Sequence, residues 1–369
     1  MVKHAKLSAS SAHRWLVCPG SVSLSESFSD SSSQAAEEGT AAHALAEHKV
    51  RKALKQRSKR PVSQYDSDEM EACTDDYRDY VIGCFTKEAG SKVLLEQMVD
   101  YSAYCPEGFG TCDCIIVSDR KLHIVDLKYG VGVLVSSERN PQMMLYALGA
   151  IELFEDLYDF DDVELTIFQP RRENVSSYET TVEDLKKWAE EVVRPKAQEA
   201  LSDSPSFHPS EAACMWCKAK NTCRARAEAN MSMLRYEFAM PPTLLDEEIP
   251  VILEQAGHLK KWLSDIESYA LDKALHGHKW DGFKVVQGRS RTVYKDEDAV
   301  KNACHEAGYD DIYNTKLIGL TEMKKLLGKE FYKEIIEPLT EKKPGSPSLV
   351  PETDKRKGID ILDEFKEEQ

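Results

Sequence analysis

The chain has 369 residues, 41% of them hydrophobic and 30% charged, enough to bury a sizeable core in two or three domains. It contains no apolar run of about eighteen residues or more, which excludes a simple membrane-spanning helix. A formal net charge of -16 excludes wholesale attraction to nucleic acid, so phosphate contacts must draw on local basic runs. Two stand out: Arg51, Lys52, Lys55, Arg57, Lys59 and Arg60, and Lys218, Lys220, Arg224 and Arg226.

The polar, serine-rich start lacks an apolar signal segment, which predicts a cytoplasmic protein. In a reducing compartment, Cys-x-x-Cys spacing points to metal or redox chemistry more than to disulfides. The first residues predict a short helical entry ending near Cys18-Pro19-Gly20, then a Ser/Asp-rich loop from Ser25 to Ser33. Good helix formers after Gly39-Thr40 predict a helix with His43 and Glu47 on one face. A second helix is expected from Ser67, a plausible N-cap, to Thr86.

Three β-type runs follow, Val93 to Val99, Cys112 to Val117 and Leu122 to Leu127. A helix is expected from Asn140-Pro141 to Phe154, a strand from Val163 to Phe168 and a helix from Val182 to Leu201. This order predicts an α/β core with a mixed sheet flanked by helices. Met240-Pro241-Pro242 reads as a hinge into a long amphipathic helix. Strands at Phe283 to Val286 and Thr292 to Tyr294 and helices to about Leu339 are then expected. The domain reading is a core at 1–235, a C-terminal helical or α+β module at 241–340 and a flexible charged tail at 341–369.

The most informative stretch is Gly110-Thr111-Cys112-Asp113, followed by Val125-Asp126-Leu127-Lys128. Residues two apart on a strand share a face, so Asp126 and Lys128 point the same way, and a hairpin can bring Asp113 beside them. Converging carboxylates repel unless a cation lies between them, and hard oxygen ligands suit Mg²⁺ or Mn²⁺. With a lysine alongside, this set meets the needs of phosphodiester hydrolysis. Gln142 and Tyr146 lie four apart on one face of the next helix. Glu96, on the preceding strand, either joins the site or serves in the core or on a solvated face.

Gly-x-x-Asp, Asp-x-Lys and Gln-x-x-x-Tyr, in this order, resemble the RecB-type branch of the PD-(D/E)xK nucleases. The resemblance covers about residues 7 to 230 and implies a restriction-endonuclease-like core. It implies that His43, Asp113 and Asp126 bind the metal, that Lys128 is the catalytic lysine, and that Gln142 and Tyr146 contact DNA or organise the site.

Cys214-Met215-Trp216-Cys217 and Cys223 offer three thiolates, too few for a closed four-sulfur site. The chain is similar here to AddB-type helicase-nucleases and CRISPR-associated RecB-like exonucleases, in which one early cysteine joins three late ones. That similarity implies Cys18 as the fourth ligand and a [4Fe-4S] cluster, with Zn²⁺ as the alternative that spacing leaves open. Cys73, Cys84, Cys105, Cys112, Cys114 and Cys304 show no such pattern and read as small buried hydrophobes.

No phosphate-loop motif of an ATP motor is present. The expectation is a stand-alone, metal-dependent DNA nuclease, an exonuclease, of the kind found in phage or prophage recombination, repair or processing. DNA is its expected partner, together with a phage recombination or single-strand-binding protein. The alternative is a non-catalytic DNA-binding or assembly module that retains the nuclease fold.

Overall fold

Five strands, β1 (Lys92–Asp100), β2 (Phe109–Val117), β3 (Lys121–Leu127), β4 (Asp162–Gln169) and β5 (Asn174–Thr181), form one sheet in the order β1-β2-β3-β4-β5. β3 and β4 run parallel and the other neighbours antiparallel. The parallel step needs a crossover, supplied by α5 (Pro141–Phe154). The computed structural model describes residues 5–28, 33–87, 90–232, 246–286, 296–306, 317 and 319–340. The chain divides into two units, Met1–Lys273 and Ala274–Gln369.

Helices cover both faces of the sheet. On one, α5 packs with α1 (Ala12–Trp15), α6 (Val182–Trp188) and α7 (Arg194–Ala200) over Ile115, Val117, Leu122, Ile124 and Leu165. On the other, α3 (Gln34–Ala53) and α4 (Asp68–Lys87) lay Ala46, Val50, Tyr77 and Val81 on Cys114, Ile116, Val125 and Leu127. The helix starts are set by local chemistry. Asn140 Oδ1 accepts from Gln142 N at 3.1 Å ahead of Pro141, Ser33 Oγ accepts from Ala36 N at 3.2 Å, and Ser67 Oγ from Met70 N at 3.2 Å.

α5 lies so close to β1 that a Cβ at Gly149 would meet Val99 Cβ at 2.9 Å and Asp100 O at 3.1 Å. In an exposed helix, Gly→Ala stabilises by up to about 1 kcal/mol. Here the sign reverses: Gly149→Ala is expected to destabilise by about 1–3 kcal/mol, read as a lowered urea midpoint. An unchanged or raised midpoint would contradict this packing.

The helix expected over Val182 to Leu201 is interrupted. α6 ends at Trp188, a π turn spans Ala189–Val193, and α7 restarts at Arg194, with Pro195 in its first turn. A proline inside one continuous helix would remove a hydrogen bond and clash with the preceding turn, and the wider turn absorbs this. β5 was not anticipated. Its sequence is mostly polar, yet its burial alternates residue by residue, as an edge strand with one covered face requires. The N-terminal entry continues past Cys18-Pro19-Gly20 into α2 (Ser21–Glu26), and α3 begins at Gln34, before Gly39-Thr40.

Of the late cysteines, Cys214 lies in α8 (Glu211–Met215), Cys217 follows that helix and Cys223 is the N-cap of α9 (Arg224–Met231). α10 (Glu248–Leu275) is the expected long amphipathic helix. Its buried Asp265 meets the buried Arg226 of α9 at 2.7 Å, and the division between the two units falls in its last turn, after Lys273. In the second unit the described residues form α11 (Glu297–Glu306), α12 (Leu320–Leu327) and short helical turns to Leu339. Phe283 to Val286 is not a strand: these residues are exposed and pair with no described strand. The expected strand at Thr292 to Tyr294, the hinge at Met240 to Pro242 and the tail at 341–369 lie outside the described residues. No described helix is long and apolar enough to cross a membrane.

Candidate functional site

The β2–β3 ladder ends at the pair Cys114–Val125. The next residue on each strand, Asp113 and Asp126, therefore carries its carboxylate into the opening where the strands part. Asp113 Oδ2 accepts from Leu127 N at 2.8 Å, so a side chain replaces a lost ladder bond.

A second irregularity lies opposite. Glu96 sits in the middle of β1 with φ +50°, a left-handed conformation that costs a residue with a Cβ about 1–2 kcal/mol. It falls between the pairs Leu95–Cys114 and Gln97–Cys112. Side-chain alternation reverses there in both strands: Cys112 packs on the α5 side of the sheet and Cys114 on the α3/α4 side, although two residues apart on a regular strand share a face. The distortion brings Glu96 to Asp113. With His43 from α3, these three offer ligand atoms that lie within 4.8 Å of one another. Of the three residues expected to bind metal, His43 and Asp113 fall in this group with Glu96, whereas Asp126 is not part of it and faces Lys128 and Gln142.

His43 Nδ1 lies 3.2 Å from Asp113 Oδ1. Burial alone would lower the His43 pKa, but the charge and hydrogen bond of Asp113, with the charge of Asp126, raise it to about 9. Burial would raise Asp113, and His43 and Lys128 together hold it below the usual carboxylate range. Glu96 is pushed up to about 7 by desolvation of its carboxyl and by the charge of Asp113.

Asp126 is 2% exposed, and its pKa is raised by burial against the opposing pull of Lys128. Its Oδ2 takes a charge-assisted contact from Lys128 Nζ at 2.8 Å. Lys128 would lose its proton through burial, yet Asp126 and Asp113 keep its pKa raised. Lys128 Nζ donates to Gln142 Oε1 at 3.1 Å, while Gln142 Nε2 donates to Asp126 Oδ1 at 3.2 Å and to Tyr146 Oη at 3.3 Å. Gln142 and Tyr146 therefore do share a face of α5, and that face looks onto the carboxylates. Tyr146 also explains the glycine before Asp113, since a Cβ at Gly110 would meet its ring at 2.9 Å.

The four expected cysteine ligands line one small pocket: Cys18 from the turn after α1, Cys214 from α8, and Cys217 and Cys223 from the segment up to α9. Gly20 N donates to Ser206 O at 2.8 Å and His208 N to Cys18 Sγ at 3.3 Å, which ties the early segment to the late one. A Cβ at Gly20 would lie 2.6 Å from the Phe207 ring, so a larger residue there would displace that ring. Burial raises the Cys18 thiol pKa, with the backbone N–H groups of His208 and Ser21 pulling against it. Ser21 also lines the pocket, and its buried Oγ has no hydrogen-bond partner. Cys73, Cys105, Cys112 and Cys114 are buried, as small hydrophobes should be, and Cys84 and Cys304 are partly buried.

Much of the basic sequence is internally engaged. Arg51 pairs with Glu47, Arg60 with Glu71, and Arg226 with Asp265.

Comparison with known proteins shows that residues 4–357 match the family described as "Protein of unknown function (DUF2800)", and the chain belongs to that family. Among solved structures it is similar to one described as "Crystal structure of SSO0001", at 14% sequence identity and a TM-score of 0.23, covering 49% of this chain and 95% of that one. That likeness carries no argument here.

Proposed function

We propose that this member of the DUF2800 family is a metal-dependent DNA nuclease with a PD-(D/E)xK-type core, and that its four-cysteine pocket holds a [4Fe-4S] cluster. One observation carries the nuclease reading: His43, Glu96, Asp113, Asp126 and Lys128, from four separate elements, meet where the β2–β3 ladder opens. The donor set fits a hard divalent cation, because it is made of carboxylates and one imidazole whose ligand atoms already converge. His43, Glu96 and Asp113 would hold Mg²⁺ or Mn²⁺, with Asp126 completing the set. Such an ion lowers the pKa of bound water and offsets charge on the phosphate.

The protein's own part is positional and electrostatic. Lys128, kept protonated by Asp126 and Asp113, donates to a non-bridging phosphate oxygen and stabilises the charge that builds there. Gln142 bridges Lys128 and Asp126 and so holds the ammonium in place, and Tyr146 supports Gln142 from one helical turn further on. The site tests directly. End-labelled single-stranded and duplex DNA and RNA should be degraded in Mg²⁺ or Mn²⁺ and left intact in chelator or by Asp126→Ala. Binding without cleavage on every substrate would instead support the non-catalytic alternative.

Metal affinity should depend on pH with a defined slope. A ligating imidazole or carboxylate must be unprotonated, so protons on His43 below about 9 and on Glu96 below about 7 compete with the ion. Mn²⁺ affinity is expected to rise about tenfold per pH unit between pH 7 and 9, where one proton is displaced, and more steeply below pH 7, where two are. Titration calorimetry in buffers of different ionisation enthalpy counts those protons. His43→Ala should bind more weakly and lose the dependence above pH 7, and a wild-type affinity flat from pH 6 to 9 would refute the ligand assignment.

For the cysteines, the support is the gathering of four thiols from distant segments around a pocket that also presents the unpartnered Ser21 hydroxyl. Iron and acid-labile sulfide analysis of anaerobically purified protein, with its visible spectrum, tests the cluster. Zinc in place of iron would leave the nuclease reading intact and replace the cofactor.

A further inference from the structure

Most cations around the two sites already have a carboxylate. Lys49 meets Glu71 at 2.7 Å and Asp75 at 2.9 Å, Arg171 meets Glu38 and Glu69 at 3.2 Å each, and Arg226 meets Asp265 at 2.7 Å. Arg14 differs. It is half-buried on α1, its Nε is buried without a hydrogen-bond partner, and its guanidinium pairs with no carboxylate among the described residues. His13, beside it, is half-buried too, and its Nε2 is likewise buried and unpartnered.

Native folds satisfy nearly all buried polar groups, so two adjacent orphans need a reason. In a chain of net charge -16, a half-buried guanidinium that no carboxylate has claimed is a place for an anion from outside. α1 packs against α5, the helix that carries Gln142 and Tyr146, and against α8 of the cysteine segment. Burial first and the charge of Arg14 next lower the His13 pKa, with a smaller effect from Lys128.

We propose that His13 and Arg14 form a phosphate subsite beside the carboxylate centre, which binds a non-scissile phosphate of the DNA strand being cut. This rests on the nuclease reading and extends it: Lys128 serves the scissile phosphate, and the guanidinium fork of Arg14 serves a neighbouring one. It also gives the cysteine pocket a route to DNA binding. Cys18 N donates to Arg14 O at 2.8 Å, so the turn that carries Cys18 continues directly from the residue that holds the phosphate.

The test uses the full-length protein with its native metal content and Ca²⁺ in the hydrolytic site, so that binding is read without cleavage. The probe is a fluorescent single-stranded DNA followed by anisotropy across a salt series. Arg14→Gln is expected to bind about tenfold more weakly, with the slope of log affinity against log salt reduced by about 0.7, the value of one phosphate contact on a single strand. A probe with one neutral methylphosphonate linkage next to the cleaved bond should weaken the wild type by a similar factor and leave Arg14→Gln unaffected.

An Arg14→Gln variant that keeps the wild-type slope and stays as sensitive to the neutral linkage overturns the subsite alone, provided the wild type cleaves in Mg²⁺ or Mn²⁺. If Arg14→Gln does not fold, the methylphosphonate scan of the wild type decides: loss of affinity at one non-scissile position supports the subsite, and uniform tolerance overturns it. A wild type that neither binds nor cleaves the strand overturns both readings.

Discussion

Lys128→Ala is expected to slow metal-dependent DNA cleavage by about 10²–10³-fold, the usual effect of removing one preorganised donor to developing charge. The same change should also weaken the metal-free fold, because Asp126 is 2% exposed and would lose its cationic neighbour. Removing one partner of a buried pair costs about 3–5 kcal/mol. The sign with pH follows from Asp126, whose pKa in the fold already lies above its unfolded value and would rise further without Lys128. The folded state then binds the extra proton, so the variant loses stability as pH rises from about 4 through that raised pKa and recovers it on acidification.

Two controls separate chemistry from folding. Divalent ion should restore the thermal midpoint of Lys128→Ala without restoring its rate. Asp126→Asn combined with Lys128→Met removes both charges and should restore metal-free stability while leaving cleavage abolished. Wild-type cleavage by Lys128→Ala, or cleavage that persists in chelator, would sink the nuclease reading.

Cys217→Ala is expected to have the largest effect on the fold. Where a metal centre joins segments far apart in the chain, its binding free energy is folding free energy. Cys18 and Cys214 belong to such segments, and the pocket they line also takes in Phe207 and Pro209. The variant should purify without iron and unfold about 10 °C or more below the wild type. Below that transition its cleavage rate at saturating DNA should stay within about threefold of wild type, because no cysteine of the pocket touches His43, Asp113 or Lys128 in any described contact. Affinity should fall, since the turn bearing Arg14 is anchored through Cys18. An unchanged midpoint in iron-free protein would show that the pocket does not brace the fold, and a lost rate with an unchanged midpoint would place the cluster in the chemistry.

Spacing that reports on one element was readable in advance. Asp126 in β3 and Lys128 just past its end do meet, at 2.8 Å, and Gln142 and Tyr146 four apart on α5 do share a face. The Asn140-Pro141 start of α5 is where its cap chemistry puts it. β5 is not legible in the sequence because Asn174–Thr181 alternates in burial with little alternation in hydrophobicity. The break before Arg194 departs from the continuous helix expected over Val182 to Leu201, because Pro195 sits in the first turn of a new helix.

Glu96 marks the limit. Its place in the site depends on a left-handed residue in β1 and a reversed alternation in β2, which arise from pairing between strands. The orphaned nitrogens of His13 and Arg14 are likewise visible only once α1 is packed on α5 and the surrounding carboxylates are seen to be engaged elsewhere.

By itself, then, the amino-acid sequence determined the chemical types present, the α/β order of elements and the pairs of side chains that one backbone period aligns, because those follow from rise and twist within a single strand or helix. Only the tertiary structure decided which carboxylates meet His43, that four thiols surround one pocket and that the Arg14 guanidinium has no carboxylate beside it among the described residues. Those outcomes depend on where a ladder opens and on which charges neighbouring elements have already taken.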